Sequence, residues 1–207
     1  MKYFLGLVLG VFLAGAAVAS EEPAAIVRAT SDRLFELIDT NRSAYQADPA
    51  PLQQEVRKNL LPKIDSLYSA RLVLGQHGRG LPAEKVAAFS DALSDLLVRR
   101  YAEGLLKFKS RDQVEILPEQ AGNTDRMTRV RTRVRLDSGS DAAVDYVFRK
   151  RDDRWWVFDV IIEGISYVAT FRNQIGEEIR RDGFDRVLSR LQSGELQIEV
   201  KADDNPA

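Results

Sequence analysis

No cysteine occurs anywhere in the sequence, and histidine occurs once, at His77. The first absence excludes a disulfide framework, a thiolate nucleophile and a lipid anchor attached through a cysteine at a cleavage site. The two together exclude a zinc centre, because such sites draw mostly on Cys and His. A cysteine-free chain is compatible with an oxidising compartment without arguing for one. Neither sign of charge dominates: 30 basic residues face 31 acidic ones, for a formal net charge of −1. Nucleic-acid binding needs a strongly basic face. A near-neutral chain with 29% charged residues reads instead as evenly solvated, with no nucleic-acid partner. The sequence also lacks a glycine-rich phosphate loop, a nucleophile elbow and a spaced catalytic dyad. Past its first 19 residues no apolar run reaches the roughly 20 residues that a membrane-spanning helix needs.

The amino terminus is of a different kind. Met1-Lys2 gives a short positive start, Tyr3 to Gly15 is apolar, and Ala17-Val18-Ala19 before Ser20 has the small-x-small form of a signal-peptidase site. Residues 1–19 are therefore expected to be a cleaved signal peptide, and the mature chain an exported, soluble protein. Cleavage removes Lys2 and no acid, so 29 basic residues remain against 31 acidic ones, a net charge of −2. The remaining 188 of 207 residues suffice for one domain with a full core, or with a core and an internal cavity. We expect that domain over residues 20–200 and a flexible tail over residues 201–207, with a monomeric chain.

Patterning then separates helices from strands. Pro23 opens a helix with Val27, Thr30, Leu34, Leu37 and Ile38 on one face. Asp48-Pro49 reads as an N-cap followed by a first-turn proline, with Leu52, Val56 and Leu60 continuing to Pro62. Ile64, Leu67, Leu72 and Leu74 belong to the next turn, which Gly75 stops. Gln76 to Leu81 reads as a loop. Pro82 is expected to begin the longest helix, with Val86, Phe89, Leu93, Leu96, Leu97, Tyr101, Leu105 and Phe108 along one side. From Gln113 the period changes to two. Val114 and Ile116 make a short strand. In the next, Val130, Val134 and Leu136 share a face with Thr128 and Thr132, and Arg129, Arg131, Arg133 and Arg135 take the other. Ser138-Gly139-Ser140 is a hairpin turn. A third strand sets Ala142, Val144, Tyr146 and Phe148 opposite Ala143, Asp145, Val147 and Arg149. Leu196, Ile198 and Val200 alternate as a short edge strand would. Helices followed by strands predict a segregated α+β fold, a twisted antiparallel sheet of about four strands packed against several helices.

The stretch from Arg154 to Leu191 is the most informative. Trp155, Trp156, Val157, Phe158, Val160, Ile161 and Ile162 put apolar groups on both faces of a strand, so this strand is expected to be covered on both. Gly164 ends it. Ile165, Val168, Phe171, Ile175 and Ile179 then recur at helical spacing, and Phe184, Val187, Leu188 and Leu191 form a shorter helix before Gly194.

The order Trp155-x-Val157-Phe158-Asp159-Val160, then Ile162-Glu163-Gly164-Ile165-Ser166-Tyr167, then Phe171-Arg172-Asn173-Gln174 resembles the periplasmic phospholipid-binding proteins of the Mla pathway, also called the toluene-tolerance family. A second block supports the resemblance: Leu60 to Gly75, LLPKIDSLYSARLVLG, followed by Ala88 to Phe108. One departure follows Val73-Leu74-Gly75, where the family carries an aromatic-rich step and this chain has Gln76-His77-Gly78-Arg79-Gly80. The resemblance implies a twisted sheet and helices that open between them to hold the acyl chains of a glycerophospholipid, headgroup outward. It also implies two partners, an outer-membrane lipoprotein complex and an inner-membrane ABC transporter complex with an MCE-domain subunit. No cofactor is implied, and the bound ligand is the lipid itself.

The residues alone leave that interior open. A sheet face of Val130, Val134, Val144, Tyr146, Phe148, Trp156, Phe158 and Val160 meets helix faces of Leu72, Leu97, Tyr101, Leu105, Phe108, Val168 and Phe171, and composition does not separate a filled core from a cavity. These are the lipid-binding residues that the resemblance implies. Little else invites chemistry. His77, among glycines and without a second ligand, reads as a loop residue. Asp159 and Glu163 are expected to project from one face; a carboxylate on an apolar face can act as an acid or base, but pairing with an arginine or capping a helix is the favoured reading, with Arg172 a candidate partner. The arginine ladder reads as a solvated face cross-paired with acids such as Asp145. Two other classes compete with the carrier: a small α+β hydrolase or isomerase using Asp159 as base, and a periplasmic chaperone or adaptor.

Overall fold

The computed structural model describes residues 21–107, 113–119, 122–135, 139–196 and 198. The expected signal peptide, the expected tail, Phe108, Leu136, Ser138 and Val200 lie outside them.

Among the described residues the fold is α+β, with six α-helices and a five-stranded sheet. Four helices come first: α1 Pro23–Ala47, α2 Ala50–Asn59, α3 Ser66–Leu74 and α4 Ala83–Tyr101. Strands β1 Val114–Ile116, β2 Met127–Arg135, β3 Asp141–Arg151, β4 Arg154–Ile162 and β5 Ile165–Ser166 follow, then α5 Tyr167–Asp182 and α6 Phe184–Ser193. The strands pair in sequence order, each antiparallel to the next. The expected four-stranded meander is present, and β5 extends it by two residues.

Two tight turns fix the register of β4. Asp152 and Asp153, between β3 and β4, have φ of 51° and 54°, and Glu163 and Gly164, between β4 and β5, have φ of 50° and 81°. Positive φ at both central residues is the type I′ pattern, whose twist matches that of the flanking strands. The second turn corrects the reading of Ile165, which lies in β5 opposite Ile162 instead of in the helix. Ser166 then caps α5, its Oγ accepting the Ala169 N–H at 3.0 Å.

Where β3 meets β4 the register slips. Phe148 pairs with Val157, but Val147 pairs with Asp159, so Phe158 is an extra residue in β4. A bulge of this kind reverses the alternation along the strand. Trp155 and Val157 before it, and Val160 and Ile162 after it, therefore share the inward face with Phe148, Tyr146 and Val144. Trp156 and Phe158 do not, contrary to the strict period-two reading. Trp156 pairs with Arg149 on the opposite face, with the guanidinium groups of Arg151 and Arg154 each 5.0 Å from its ring centre. Phe158 meets Tyr68 of α3 edge-on, with ring centres 5.3 Å apart. Apolar residues on both sides of β4 thus have separate partners.

The buried core falls into three clusters. The largest joins α3, α4, α5 and α6 through Val73, Leu74, Phe89, Leu93, Phe171, Ile175, Val187 and Leu191. A second joins α1, α2 and the end of α4 through Ile38, Tyr45, Leu52, Val56 and Val98. The third lies on the inward sheet face, where Ile26 and Val27 of α1 cover Val130, Phe148 and Val157. Three further expectations need correction. At 25 residues α1 is longer than α4 at 19; after Tyr101 the chain tightens into 3-10 form over Ala102–Lys107, which carries Leu105 and Leu106 to the second cluster. Phe35 and Tyr45 of α1 are buried, whereas Thr30, Leu34 and Leu37 are only partly covered. Leu196 and Ile198 are in no strand; past Gly194, with φ 78°, the chain turns back and buries both in the helical cluster.

Candidate functional site

One buried carboxylate ties the helices to the sheet. Asp65, 3% exposed, accepts the Tyr68 N–H as the N-cap of α3 at 3.2 Å and pairs with Arg151 at 3.0 Å and Arg149 at 3.6 Å. Its own N–H donates to Val157 O at 2.8 Å, and the Ser69 hydroxyl donates to Phe158 O at 2.7 Å. The Arg149 guanidinium lies 3.8 Å from the centre of the Tyr68 ring. This node holds α3 along the open edge of β4, beside the bulge.

A second carboxylate fixes the corner from β4 to α5. Asp159 accepts the Ser166 hydroxyl at 2.6 Å and the Val168 N–H at 3.0 Å. That is the helix-capping role favoured for it, with both oxygens accepting from the start of α5. Glu163, in the turn and no longer on the strand, accepts the Ala143 N–H. Arg172 pairs with neither acid. Its guanidinium lies against Gly75, where an added Cβ would stand 2.8 Å from Nε. His77 faces Gly176 of α5 in a polar cleft of about 380 Å³ that also takes in Gln76, Arg172, Asn173 and Arg180. A second polar cleft of about 400 Å³ follows α4 and α6, lined by Asp91, Asp95, Arg99 and Gln192. Among the described residues no group of three or more metal-ligating side chains gathers.

The arginine ladder is cross-paired as expected. Arg129 meets Asp145 at 3.6 Å, Arg133 meets Glu115 at 3.3 Å and Asp141 at 3.7 Å, and Arg135 meets Asp141 at 3.5 Å. Arg131 donates to Pro118 O at 2.8 Å.

The apolar residues singled out from the sequence divide among the three clusters. Val130 and Phe148 are buried in the sheet cluster, with Tyr146 and Val160 packed against it. Phe171 is buried in the helical cluster, with Leu97, Tyr101 and Val168 at its margin, and Leu105 borders the second cluster. Leu72, Val134 and Val144 belong to none of the three. Residues not singled out share these margins: Ile64 and Trp155 beside the sheet, Leu60, Leu61 and Leu106 beside the second cluster, and Tyr167 beside the helical one. The phase reversal at the bulge hid Trp155. The motif Ile165-Ser166-Tyr167 marked Tyr167, but its place in a strand-to-helix corner did not show in the spacing.

Tyr146 and Tyr167 stand out among the margin residues. Burial raises the Tyr146 phenol above its ordinary pKa of 10.0. Desolvation, reinforced by Tyr101, does the same for Tyr167. Yet both side chains keep accessible surface. Tyr167 also meets Tyr101 and Phe171 edge-on, with ring centres 5.7 Å apart in each pair. Leu34 and Leu37, partly covered on α1, lie between the part of that helix on the sheet cluster and the part on the second. The inward sheet face, α1 and the ends of α4 and α5 thus present incompletely covered apolar side chains.

Known proteins are similar to this chain in sequence and in fold. The family described as MlaC protein matches residues 28–193. The intermembrane phospholipid transport system binding protein MlaC of Haemophilus influenzae is 27% identical over 203 residues, 95% of this chain and 94% of its own length. The toluene tolerance protein ttg2D of Pseudomonas putida is 22% identical over 192 residues, 91% of this chain and 88% of its own. A phospholipid-binding protein from Ralstonia solanacearum, solved in complex with a phospholipid, shares the fold with a TM-score of 0.70 at 24% identity, over 84% of this chain and 99% of that one. With the family's match running from within α1 to the end of α6, the chain belongs to the MlaC family.

Proposed function

We propose that this protein is a periplasmic carrier that holds one glycerophospholipid, its acyl chains between the inward sheet face and the helices. The observation that carries the reading is the division of the core: three apolar clusters are bordered by side chains that their neighbours leave partly uncovered, Tyr146 and Val160 on the sheet among them. Family membership supports the choice of ligand. Such a carrier exchanges lipid between an outer-membrane lipoprotein complex and an inner-membrane ABC transporter complex with an MCE-domain subunit, and so maintains outer-membrane lipid asymmetry. The signal peptide read from residues 1–19 delivers it to the periplasm, where it acts as a monomer without a cofactor.

Physical chemistry sets how the cargo leaves. Two acyl chains of about 15 methylenes each, at roughly 0.8 kcal/mol per methylene, cost on the order of 24 kcal/mol to expose to water. A barrier of that size alone corresponds to an escape time on the order of a day. Release on a useful timescale therefore requires docking, with the chains passing from one apolar path to another. The test is lipid transfer. Protein loaded with a fluorescent phospholipid should keep its cargo for hours on dilution and release it within minutes of adding the purified MCE-domain subunit. Rapid loss into buffer without any partner would overturn the reading.

The enzyme alternative loses its base, because Asp159 is committed to the cap of α5. The chaperone alternative has no observation in its favour.

A further inference from the structure

Tyr146 lies mid-strand on the inward sheet face, paired with Val130 on one side and Val160 on the other. Its surroundings are apolar, with Val130, Phe148 and Val157 buried in the same cluster. Thr132, two residues from Val130 on the same face, shows how a hydroxyl is normally accommodated there: 1% exposed, it donates to Val144 O at 2.7 Å. Tyr146 has no such arrangement. Its hydroxyl makes no hydrogen bond among the described residues, and its side chain stays accessible. Nor is it one of the sealed, unpartnered polar atoms, which are Arg57 Nη1, Asn123 Nδ2 and Trp156 Nε1. A deep phenol in an apolar wall, protonated well past neutral pH and lacking a protein acceptor, offers one directed hydrogen bond to whatever occupies the space before it.

The acceptor that suits this position is neutral. A phosphate or free carboxylate would bring a charge among Val130, Phe148 and Val157. The carbonyl of a carboxylic ester brings an acceptor and no charge. We infer that the Tyr146 hydroxyl, unpaired on the apolar inward face of β3, donates to an ester carbonyl of the bound lipid, making the protein selective for ester-linked over ether-linked chains. The inference rests on the carrier reading and adds a specificity determinant to it.

The experiment is a competition. Vesicles of equal parts dioleoyl phosphatidylcholine and its diether analogue are incubated with the mature protein, and the bound species are counted by native mass spectrometry. Wild type should favour the diester about fivefold, the worth of one neutral hydrogen bond. Tyr146→Phe removes a single oxygen and should bind both lipids at a ratio within about twofold of one. Comparing the two ratios cancels any difference in how readily the lipids leave the vesicle. A wild type that takes both lipids equally overturns the inference and leaves the carrier reading standing, as does a preference that survives in Tyr146→Phe. A wild-type ratio near one overturns the inference by itself, so a poorly folded variant would not shelter the idea. Failure of wild type to bind either lipid would overturn the carrier reading and the inference with it.

Discussion

Replacing Asp65 should reveal how much of the stability passes through the junction of α3 with β4. In Asp65→Ala the N-cap bond to Tyr68 is lost, which costs about 1 kcal/mol. The charge-assisted bond to Arg151 goes too, nominally about 1.5 to 3 kcal/mol. Its value depends on exposure. Asp65 is 3% exposed, but Arg149 and Arg151 are 27% and 42% exposed, so both guanidinium groups regain water when the carboxylate disappears. That places the loss at the low end of the roughly 3 to 5 kcal/mol typical of breaking a buried pair, at about 3 kcal/mol in total. For a chain of this size about 3 kcal/mol lowers Tm by roughly 6 to 12 °C. Asp65→Asn keeps the shape and an acceptor for Tyr68 but removes the charge, and should lose about half as much. Thermal and urea unfolding, followed by circular dichroism on the two variants, measures both. A Tm for Asp65→Ala within about 2 °C of wild type would refute the reasoning, as would Asn proving as damaging as Ala.

Three other substitutions probe separate parts of the account. Gly75→Ala places a Cβ 2.8 Å from Arg172 Nε at φ 53° and ψ −123°; the arginine can swing away, so the backbone strain of about 1 to 3 kcal/mol should dominate. Adding Arg172→Ala should then recover no more than a few tenths of a kcal/mol in a double-mutant cycle. At Glu178 burial pushes the pKa up, but hydrogen bonds and charges from Arg181 and Arg190 outweigh it, and the group ends below the usual 4.5. A depressed carboxylate stabilises above its unfolded pKa and loses that contribution as pH falls through the folded one. Urea midpoints of wild type and Glu178→Gln should therefore differ at pH 7 and converge as pH falls through the lowered Glu178 pKa. Val144→Trp, on the inward face and outside the three clusters, should lower lipid occupancy while shifting Tm by only a few degrees. A filled interior would instead show the roughly 1 to 3 kcal/mol destabilisation of overpacking, with occupancy unchanged.

Where a single periodicity governs, the sequence is easily read. The alternation of β2 holds residue by residue: Val130, Thr132 and Val134 are buried while Arg129, Arg133 and Arg135 are exposed. The stripe Phe171, Ile175 and Ile179 predicts the buried face of α5, and Leu52 and Val56 that of α2. Spacing fails where it is interrupted. Phe158 adds a residue to β4, and nothing in the seven apolar positions around Asp159 marks which one is extra, so strict alternation puts Trp156 and Phe158 on the inward face that belongs to Trp155 and Val157. Glu163-Gly164 is recognisable as a bend, but a two-residue turn and a helix start look alike until Ile165 is seen pairing with Ile162. For Leu196 and Ile198, alternation marked burial correctly and strand structure wrongly, because the left-handed Gly194 decides where the chain goes next. The margins of the clusters were the least legible part. Which apolar side chain is covered depends on neighbours distant in sequence, as for Tyr146, whose cover comes from α1 and β4.

Native mass spectrometry of the mature protein, purified without detergent, measures most directly whether the interior holds a lipid. The account predicts one dominant species heavier than the polypeptide by the mass of a single glycerophospholipid, released only on unfolding or on transfer to a partner. The mass of the bare polypeptide in every preparation, unchanged after incubation with phospholipid vesicles, would contradict it.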